Sequence, residues 1–239
     1  QEKIGNFLSL FDRLLEKINE KIELLKELKK GYLQQMFPAK GEKVPRIRFN
    51  GFNEDWELYK LLELAEFNPK SELPDEFNYV DLESVIGTKL IGYRSERKNS
   101  APSRAQRLAR NGDLFFQTVR PYQSNNYLFE LPHKNYVFST GYTQLRPLIN
   151  GYFLLSRVQE KIFVNEVLRK CTGTSYPAIS SKDLSKIATF VPTDNQEMNM
   201  IGAIFRYFDS QINFLEQKFK VIGILKKGYM QRLFAKTNN

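Results

Sequence analysis

Apolar residues recur at alternating spacings of four and three near both ends of the chain. A period of about 3.5 residues keeps one apolar seam facing a partner helix, so this pattern predicts two long helices paired as a coiled coil. Each helix would run about 50 Å at about 1.5 Å per residue. The first seam has Lys29 as an interruption and comprises Ile4, Leu8, Phe11, Leu15, Ile18, Ile22, Leu25, Tyr32 and Met36. The second has Lys226 at the same break and comprises Ile201, Phe205, Phe208, Ile212, Leu215, Phe219, Ile222, Tyr229 and Leu233.

The two segments are copies of one element. Residues 4–37 match residues 201–234 without a gap, at a constant offset of 197, so that the phrase at 28–32 (Leu-Lys-Lys-Gly-Tyr) returns at 225–229. This phrase is either a simple helix end or a contact surface for another subunit, since a glycine weakens a helix and allows close approach. The sequence leaves open whether the helices pair parallel or antiparallel.

The segment between the helices has a sequence pattern typical of a separate globular domain. Short β-rich runs at 79–82, 113–119, 136–139, 142–146 and 187–191 predict strands, and apolar spacing over 58–65 and 151–168 predicts helices. The predicted fold class is α+β, with one globular domain of short strands and helices flanked by the two long helices. We expect the first long helix at 1–40, the domain at 41–195 and the second long helix at 196–239.

Charge favours a polyanionic partner. The net charge is +9 and the isoelectric point about 9.4, which suits nucleic acid. Residues 94–120 hold seven Lys or Arg against two acids. Arginine can bind guanine or phosphate with a planar fork, and glutamine can bind adenine, although a solvated basic loop has the same composition. A second candidate is the loop 170–177, whose small hydroxyl residues and glycine let backbone amides approach a phosphate; an ordinary loop after a helix is the alternative.

Signals for catalysis are weak by comparison. Asp75 followed by Glu96 and Lys98 matches the carboxylate and lysine pattern of metal-dependent nucleases, but we expect Glu96 in a basic loop rather than at the end of an apolar strand. His133 is the only histidine, which argues against a multi-histidine metal site or a triad. No catalytic or metal-binding residue is therefore predicted. The lone Cys171 suits a reducing, cytoplasmic setting, and no apolar run is long enough to predict a membrane partner.

A series of short motifs resembles one protein family. They are Arg48–Phe52 with Trp56, Gly112–Phe115 with Val119–Tyr122, Ser139–Tyr142, Gly173–Pro177 with Ile179-Ser180 and Asp183-Leu184, and Val191-Pro192 leading through Glu197 to Ile201. Their order and spacing resemble the specificity subunits of type I restriction-modification systems, which alternate a target-recognition domain with a long helix, twice. This chain is similar to the half with helix, domain and helix. It departs from the family by having one recognition domain, and by Glu197-Met198 where the family usually has Glu-Gln.

The resemblance implies a non-catalytic subunit that recognises a DNA sequence. It also implies partners: modification subunits, which bind S-adenosylmethionine and methylate adenine, and restriction subunits, which use ATP and Mg²⁺, so that this chain itself needs no cofactor. A half-subunit paired with a second copy would recognise a symmetric, bipartite target. The alternatives are a self-associating helical scaffold and, third, a nuclease. The predicted DNA-binding residues are Arg94, Lys98, Ser103, Arg104, Gln106, Arg107, Arg110, Gln117, Thr118, Arg120, Tyr122, Gln123, Thr140, Tyr142, Arg146, Thr174, Ser175 and Tyr176.

Overall fold

The computed structural model describes residues 2–132, 135–173 and 175–234, with the side chain of residue 234 left out. The helices are α1 (Glu2–Gln35), α2 (Leu61–Leu64), α3 (Gly151–Gln159), α4 (Lys161–Arg169), α5 (Ser181–Ser185) and α6 (Asn195–Phe234). The strands are β1 (Glu57–Lys60), β2 (Ala65–Phe67), β3 (Glu76–Val80), β4 (Val85–Ile86), β5 (Lys89–Leu90), β6 (Arg94–Arg97), β7 (Ala105–Leu108), β8 (Leu114–Gln117), β9 (Tyr127–Leu128), β10 (Tyr136–Ser139), β11 (Tyr142–Pro147) and β12 (Ala188–Val191). The predicted α+β class is confirmed.

The chain forms two compact units, and the first is the predicted helix pair. It contains Gln1–Tyr32 and Ile204–Asn239, that is, most of α1 and most of α6. The predicted seam residues Ile18, Ile22, Ile212, Leu215 and Ile222 are buried together in one apolar cluster. Contacts at both ends of the pair show that the helices run antiparallel, a question that the sequence left open.

The contacts of the helix pair repeat with a pseudo-two-fold symmetry. Tyr32 of the first copy packs on Phe208 of the second, with ring centroids 5.6 Å apart and planes tilted by 39°. The repeat-related contact joins Phe11 and Tyr229, at 5.8 Å and 41°. Each copy of the repeated element therefore meets the other in the same way.

The lysines that interrupt the two seams pair with acids of the opposite helix. Lys29 Nζ lies 2.5 Å from Asp209 Oδ1, and Lys226 pairs with Asp12, which are repeat-related contacts. A parallel, in-register pair would bring like charges together at these positions, because it would place each lysine beside its own copy. The polar interruption thus helps to specify the antiparallel arrangement, a role that charged and polar residues take in coiled coils.

The second compact unit, Leu33–Ala203, is built on two four-stranded sheets. The first sheet has the strand order β6-β3-β10-β7, with β3 and β10 parallel, and the second is the antiparallel sheet β2-β11-β8-β9. A turn from Ser139 to Tyr142 leads from β10 in the first sheet to β11 in the second. Two smaller sheets, β1-β12 and β4-β5, complete the unit.

Aromatic residues from both sheets form the main core of this unit, which we call the inter-sheet core. Phe115 of β8 stacks on Phe138 of β10, with centroids 3.6 Å apart and planes within 7° of parallel. The buried members of the core are Val80, Val85, Ala109, Phe115, Phe129, Tyr136, Phe138 and Tyr142. The opposite face of the first sheet carries a second cluster, the outer cluster, of Phe77, Tyr79, Ala105 and Val137.

A buried ion pair joins two of the sequence motifs across 149 positions. Arg48 donates from Nε and an amino group to the two carboxylate oxygens of Glu197, at 2.7 and 2.9 Å, and Glu197 is completely buried in the first turn of α6. The hydrogen bond to Glu197 is the main cause that raises the pKa of Arg48. Nearby, Trp56 packs against Phe37 and Phe153. The motif that follows the first helix therefore holds the start of the second helix.

Two helix predictions were wrong in part. The predicted helix over 58–65 is the strand β1, the single turn α2 and the strand β2, because residues 57–60 pair with β12 and residues 65–67 with β11. The predicted helix over 151–168 is broken at Glu160, whose backbone is extended and whose carboxylate accepts hydrogen bonds from the amides of Ile162 and Phe163. The five predicted strands are present as β3, β8, β10, β11 and β12, with ends shifted by at most a few residues.

No helix within the described parts of the chain has the length and apolarity required to cross a lipid bilayer.

Candidate nucleic-acid interface

Four segments that are distant in sequence meet at one edge of the second unit. The amide of Thr140 donates to the carbonyl of Arg104 (2.8 Å), and the amide of Thr118 donates to the carbonyl of Gly141 (2.9 Å). The amide of Ile179 donates to the Thr118 carbonyl in turn (3.0 Å), and Thr172 exchanges two backbone hydrogen bonds with Ala178. We call this region the loop edge, and it consists of residues 103–104, 118–123, 140–141, 172–173 and 175–178. It unites parts of both predicted DNA-binding segments, 94–120 and 170–177, with the turn that carries the predicted residue Thr140.

The loop that follows β8 has an unusual backbone. Arg120 and Ser124 have positive φ values of 54° and 53°, and they flank a single 3₁₀ turn over Pro121–Gln123. Left-handed backbone at residues other than glycine costs free energy and occurs at functional sites more often than elsewhere. The conformation of this loop is therefore imposed by its surroundings.

The buried side chain of Gln117 holds that loop in place. Its amide nitrogen donates to Gln123 Oε1 (2.8 Å), and its oxygen accepts from the backbone amide of Asn125 (3.2 Å). The side-chain oxygen of Asn126 accepts a hydrogen bond from the backbone amide of Gln117, and the side chain of Gln159 in α3 donates to the carbonyl of Ser124. Of these supporting residues, sequence reasoning missed Asn125, Asn126 and Gln159; the polar run at 124–126 was the available signal for a tight turn.

Arg120 is displayed on this loop beside an exposed aromatic ring. Its guanidinium carbon lies 4.5 Å from the centroid of the Tyr176 ring, and its amide donates to the Pro177 carbonyl (2.8 Å). Tyr122 and Tyr176 expose 52% and 63% of their surface. An arginine stacked on an aromatic ring keeps its planar donor group in a defined orientation. Arg120, Tyr122 and Tyr176 thus present cationic and aromatic groups from a fixed backbone.

Several predicted DNA-binding residues are buried and support the fold. Gln117, Thr118 and Tyr142 are buried, and the Thr118 hydroxyl donates to the Gly141 carbonyl. Burial raises the pKa of Tyr142, whose hydroxyl donates to the carbonyl of Asp81. Arg146 forms two hydrogen bonds with the fully buried carboxylate of Asp113. In this structure these four side chains position neighbouring elements.

The remaining predicted residues are spread over the domain. Arg104 and Ser175 are exposed at the loop edge and Thr140 is half-buried there, whereas Thr174 lies outside the described residues. Ser103 and Gln106 are linked by a hydrogen bond from the Gln106 side chain to the Ser103 carbonyl. Arg110 lies beyond the other end of β7, and Arg94 and Lys98 lie in or next to β6, at the opposite edge of the first sheet. Of the basic groups predicted between 94 and 120, the structure therefore brings Arg104 and Arg120 to the loop edge.

The expectation that Glu96 lies in a basic loop was wrong. Residues 94–108 contain β6 and β7, and Glu96 lies in β6 opposite Phe77 of β3. The strand β6 escaped detection because it has the sequence Arg-Ser-Glu-Arg and lies at a sheet edge, without apolar alternation. The amide of Lys98 donates to the carbonyl of Asp75, so the three residues of the nuclease pattern lie in or directly next to the paired strands β3 and β6. No group of three or more His, Cys, Asp or Glu side chains is placed to hold a metal ion in the described ranges, which do not include His133.

Comparisons with known proteins identify relatives in sequence and in fold. No protein-family model matches the chain. Over 70 residues, 28% of this chain, it is 36% identical to the type I restriction enzyme MjaVIII specificity subunit of Methanocaldococcus jannaschii, and the match covers 16% of that protein.

Solved structures of such systems share the fold. The S subunit of the type I restriction-modification system from M. genitalium has a TM-score of 0.62 at 18% identity, covering 98% of this chain and 60% of that one. The HsdS subunit of Thermoanaerobacter tengcongensis has a TM-score of 0.56 at 24% identity, covering 77% and 50%. A chain from a structural study of complex assembly and conformational transition of the type I R-M system has a TM-score of 0.58 at 21% identity, covering 80% and 52%.

The matches thus span half to three fifths of the length of these solved chains. The chain is therefore similar to specificity subunits of type I restriction-modification systems, in sequence over 70 residues and in fold over most of its length.

Proposed function

We propose that this chain recognises a DNA sequence for a type I restriction-modification complex and that the loop edge is its DNA-contacting surface. The observation that carries the proposal is the convergence of Arg104, Thr140, Arg120 and Tyr176 from four separate segments onto one edge. Base recognition requires side chains held at fixed positions, whereas phosphate contacts give affinity without sequence information. The buried anchor under the 118–126 loop provides such fixed positions.

The charge of the chain supports the same partner. A net charge of +9 gives a sequence-independent attraction to DNA. It weakens as the salt concentration rises, because the release of counterions from the DNA then contributes less free energy. The exposed rings of Tyr122 and Tyr176 add apolar and hydrogen-bonding surface among the cationic groups. The proposed division of roles is that diffuse charge supplies affinity and the loop edge supplies selectivity.

Catalysis is assigned in this proposal to partner subunits. The chain would direct modification subunits, which bind S-adenosylmethionine and methylate adenine, and restriction subunits, which use ATP and Mg²⁺. This assignment of roles is supported by the sequence similarity to a type I specificity subunit and by the fold shared with an S subunit.

The helix pair offers a docking surface for such partners. Apart from the paired seams, both helices carry exposed apolar residues at repeat-related positions: Leu10 and Tyr207, Leu24 and Val221, and Leu28 and Leu225. Exposed apolar residues in a heptad register are typical of a helix that packs on a further helix. We propose that they bind helices of partner subunits. We also propose that two copies of the chain associate and recognise a symmetric target, with half-sites about 34 Å apart or more.

The test of sequence recognition compares two double variants in binding to a randomised DNA library, each reconstituted with the modification subunits of the same system. Arg104→Ala with Arg120→Ala removes two charges from the loop edge. Arg46→Ala with Arg97→Ala removes two exposed charges that lie elsewhere and pair with Glu42 and Glu76. We expect the loop-edge variant to lose the selected sequence and the control to retain it. A wild-type protein that selects no sequence would contradict the proposed function.

A helical scaffold is the alternative that the exposed apolar residues favour. Light scattering would distinguish a monomer of 28.0 kDa from a dimer. Leu24→Glu with Val221→Glu should abolish association with partners and leave the helix pair folded, because both side chains are exposed. Normal association together with unchanged DNA binding in the Arg104→Ala, Arg120→Ala variant would support the scaffold instead.

A further inference from the structure

The guanidinium group of Arg107, in β7, has no charged partner among the described residues. Its Nε atom is buried and has no hydrogen-bond partner. Among the buried side-chain atoms of the described residues that lack a hydrogen bond, it is the only one that belongs to a charged group. Other arginines that are at least partly buried are engaged: Arg48 with Glu197, Arg146 with Asp113, and Arg157 with Glu160. A partly buried cation without a counter-charge is unfavourable, since burial removes hydration that nothing in the protein replaces.

A shift in strand register decides where this side chain lies. Phe138 of β10 is opposite Arg107, but the next residue, Ser139, is opposite Ala105, so that Gln106 is left without a partner in the ladder. Because residues opposite each other in an antiparallel pair share a face, Arg107 lies on the face of Phe138, which is the face of the inter-sheet core. Regular alternation from Ala105 would have placed it on the face of the outer cluster.

Such β-bulges recur next to functional sites, where they redirect a side chain. Here the bulge lies directly beside the loop edge, because Arg104, next to Ala105, accepts the hydrogen bond from Thr140. β7 is also an edge strand of its sheet, so one of its sides is not covered by a neighbouring strand of that sheet. The fold thus holds a half-buried arginine on an edge strand beside the proposed DNA-contacting surface.

We propose that Arg107 is a specificity-determining residue that recognises a guanine of the DNA target through its guanidinium group; this inference rests on the proposed function. Guanine presents two acceptors, O6 and N7, in the major groove, and they match the paired donors of an arginine. A phosphate oxygen has the same acceptor chemistry, but phosphate contacts do not require a side chain of fixed position. A half-buried stem on a strand fixes the position of Arg107 and favours the base.

The physical state of Arg107 fits a group that is completed by its ligand. Burial lowers the pKa of the guanidinium, and burial is the only cause of that shift. Replacement of the charge by an apolar group of similar length should therefore not weaken the fold. Stability and recognition are expected to respond in opposite directions, which separates a binding role from a structural one.

The test uses the full chain, reconstituted with the modification subunits of its own restriction system, in three single variants. Arg107→Met keeps a long apolar stem and removes the charge, whereas Arg107→Lys keeps the charge and removes the planar fork. The control Arg97→Met removes a charge of β6, at the opposite edge of the same sheet, that pairs with Glu76 of β3. Each protein selects sequences from a randomised double-stranded DNA library, and the unfolding midpoint of each in urea is measured.

We expect both Arg107 variants to lose the preference for guanine at one position, by roughly tenfold to hundredfold, and to keep the rest of the selected sequence. Arg107→Met should unfold at an equal or higher urea concentration than the wild type, and Arg97→Met should keep the complete sequence.

An unchanged selected sequence in Arg107→Met would overturn the proposal, and so would a uniform loss of affinity for every DNA, which would indicate a phosphate contact. A markedly lower urea midpoint would show that the role is structural. If the wild type itself selects no sequence, the proposed function fails together with this inference, whereas failure confined to the variants concerns Arg107 alone.

Discussion

The two repeat-related ion pairs of the helix pair allow one chemical contact to be measured in two environments. Lys29 and Asp209 expose 17% and 10% of their side chains, whereas Lys226 and Asp12 expose 23% and 61%. The residue types and the repeat positions are the same. We predict that the Lys29–Asp209 pair contributes clearly more to the free energy of unfolding.

The expected magnitudes follow from burial. A largely buried, charge-assisted hydrogen bond contributes about 2 kcal/mol, so we expect a coupling energy of this size between Lys29 and Asp209. An exposed pair between flexible side chains contributes about 0.2–1 kcal/mol, because water screens it and ordering costs side-chain entropy. We therefore expect about 0.5 kcal/mol between Lys226 and Asp12. The predicted difference of about 1.5 kcal/mol exceeds the usual error of such measurements.

The assay is a pair of double-mutant cycles with alanine at each of the four positions. Urea unfolding is followed by the helical circular dichroism signal, and the coupling energy is the difference between the double variant and the sum of the single ones. Added salt should reduce the Lys226–Asp12 coupling more than the other. Equal couplings, or a larger one for Lys226 and Asp12, would refute the assignment of the magnitude to burial.

Two further predictions concern single side chains. Gly202→Ala should lower the free energy of unfolding by about 1–3 kcal/mol, because the new Cβ would lie 3.1 Å from the backbone nitrogen of Phe153 and closer still to Asn150 Oδ1. The repeat-related Gly5→Ala, whose new Cβ would have nothing within 4 Å, should raise the free energy of unfolding by about 0.5 kcal/mol. A similar loss for both variants in urea unfolding would contradict this reasoning. Burial, with smaller effects of Tyr136 and Glu130, raises the pKa of Tyr127 from 10.0 to about 12. The folded state therefore holds the phenol proton of Tyr127 more tightly than the unfolded state, so its contribution to stability is complete below pH 10 and lost between pH 10 and about 12. Tyr127→Phe should reduce the loss of stability over that range. An identical pH profile of stability for the wild type and the variant would contradict this prediction.

The helix pair was predictable because the apolar spacing that specifies it recurs regularly along both helical segments. The heptad spacing needs only the order of apolar residues, and the repeat fixes the common register of the two copies. The direction of pairing was also present in the sequence, in the aspartate and the lysine that recur in both copies. The pattern of apolar residues does not reveal it, because in that pattern Lys29 and Lys226 are only interruptions of a seam, whereas the direction depends on their pairing with Asp209 and Asp12.

The short elements of the domain were predictable only where burial is regular. Strands β10 and β11, with mostly buried residues, have nearly the predicted bounds. In contrast, β1 exposes three of its four residues and β6 has a charged sequence, so that their pairing partners, rather than their own composition, make them strands. Tertiary hydrogen bonds of this kind join residues more than one hundred positions apart, as between β1 and β12.

The candidate site shows the same limit at the level of single side chains. Arg120, Arg146 and Arg107 have the same chemistry, and all three were predicted to bind DNA. The fold gives Arg146 a buried carboxylate partner, stacks Arg120 on an exposed ring, and leaves the Nε of Arg107 without an acceptor among the described residues. For Arg107 the difference comes from a shift of one residue in the pairing of β7 with β10, because that shift moves its side chain from one face of the sheet to the other. Local composition cannot specify such a shift, so the proposed recognition residue becomes visible only once the strands are paired.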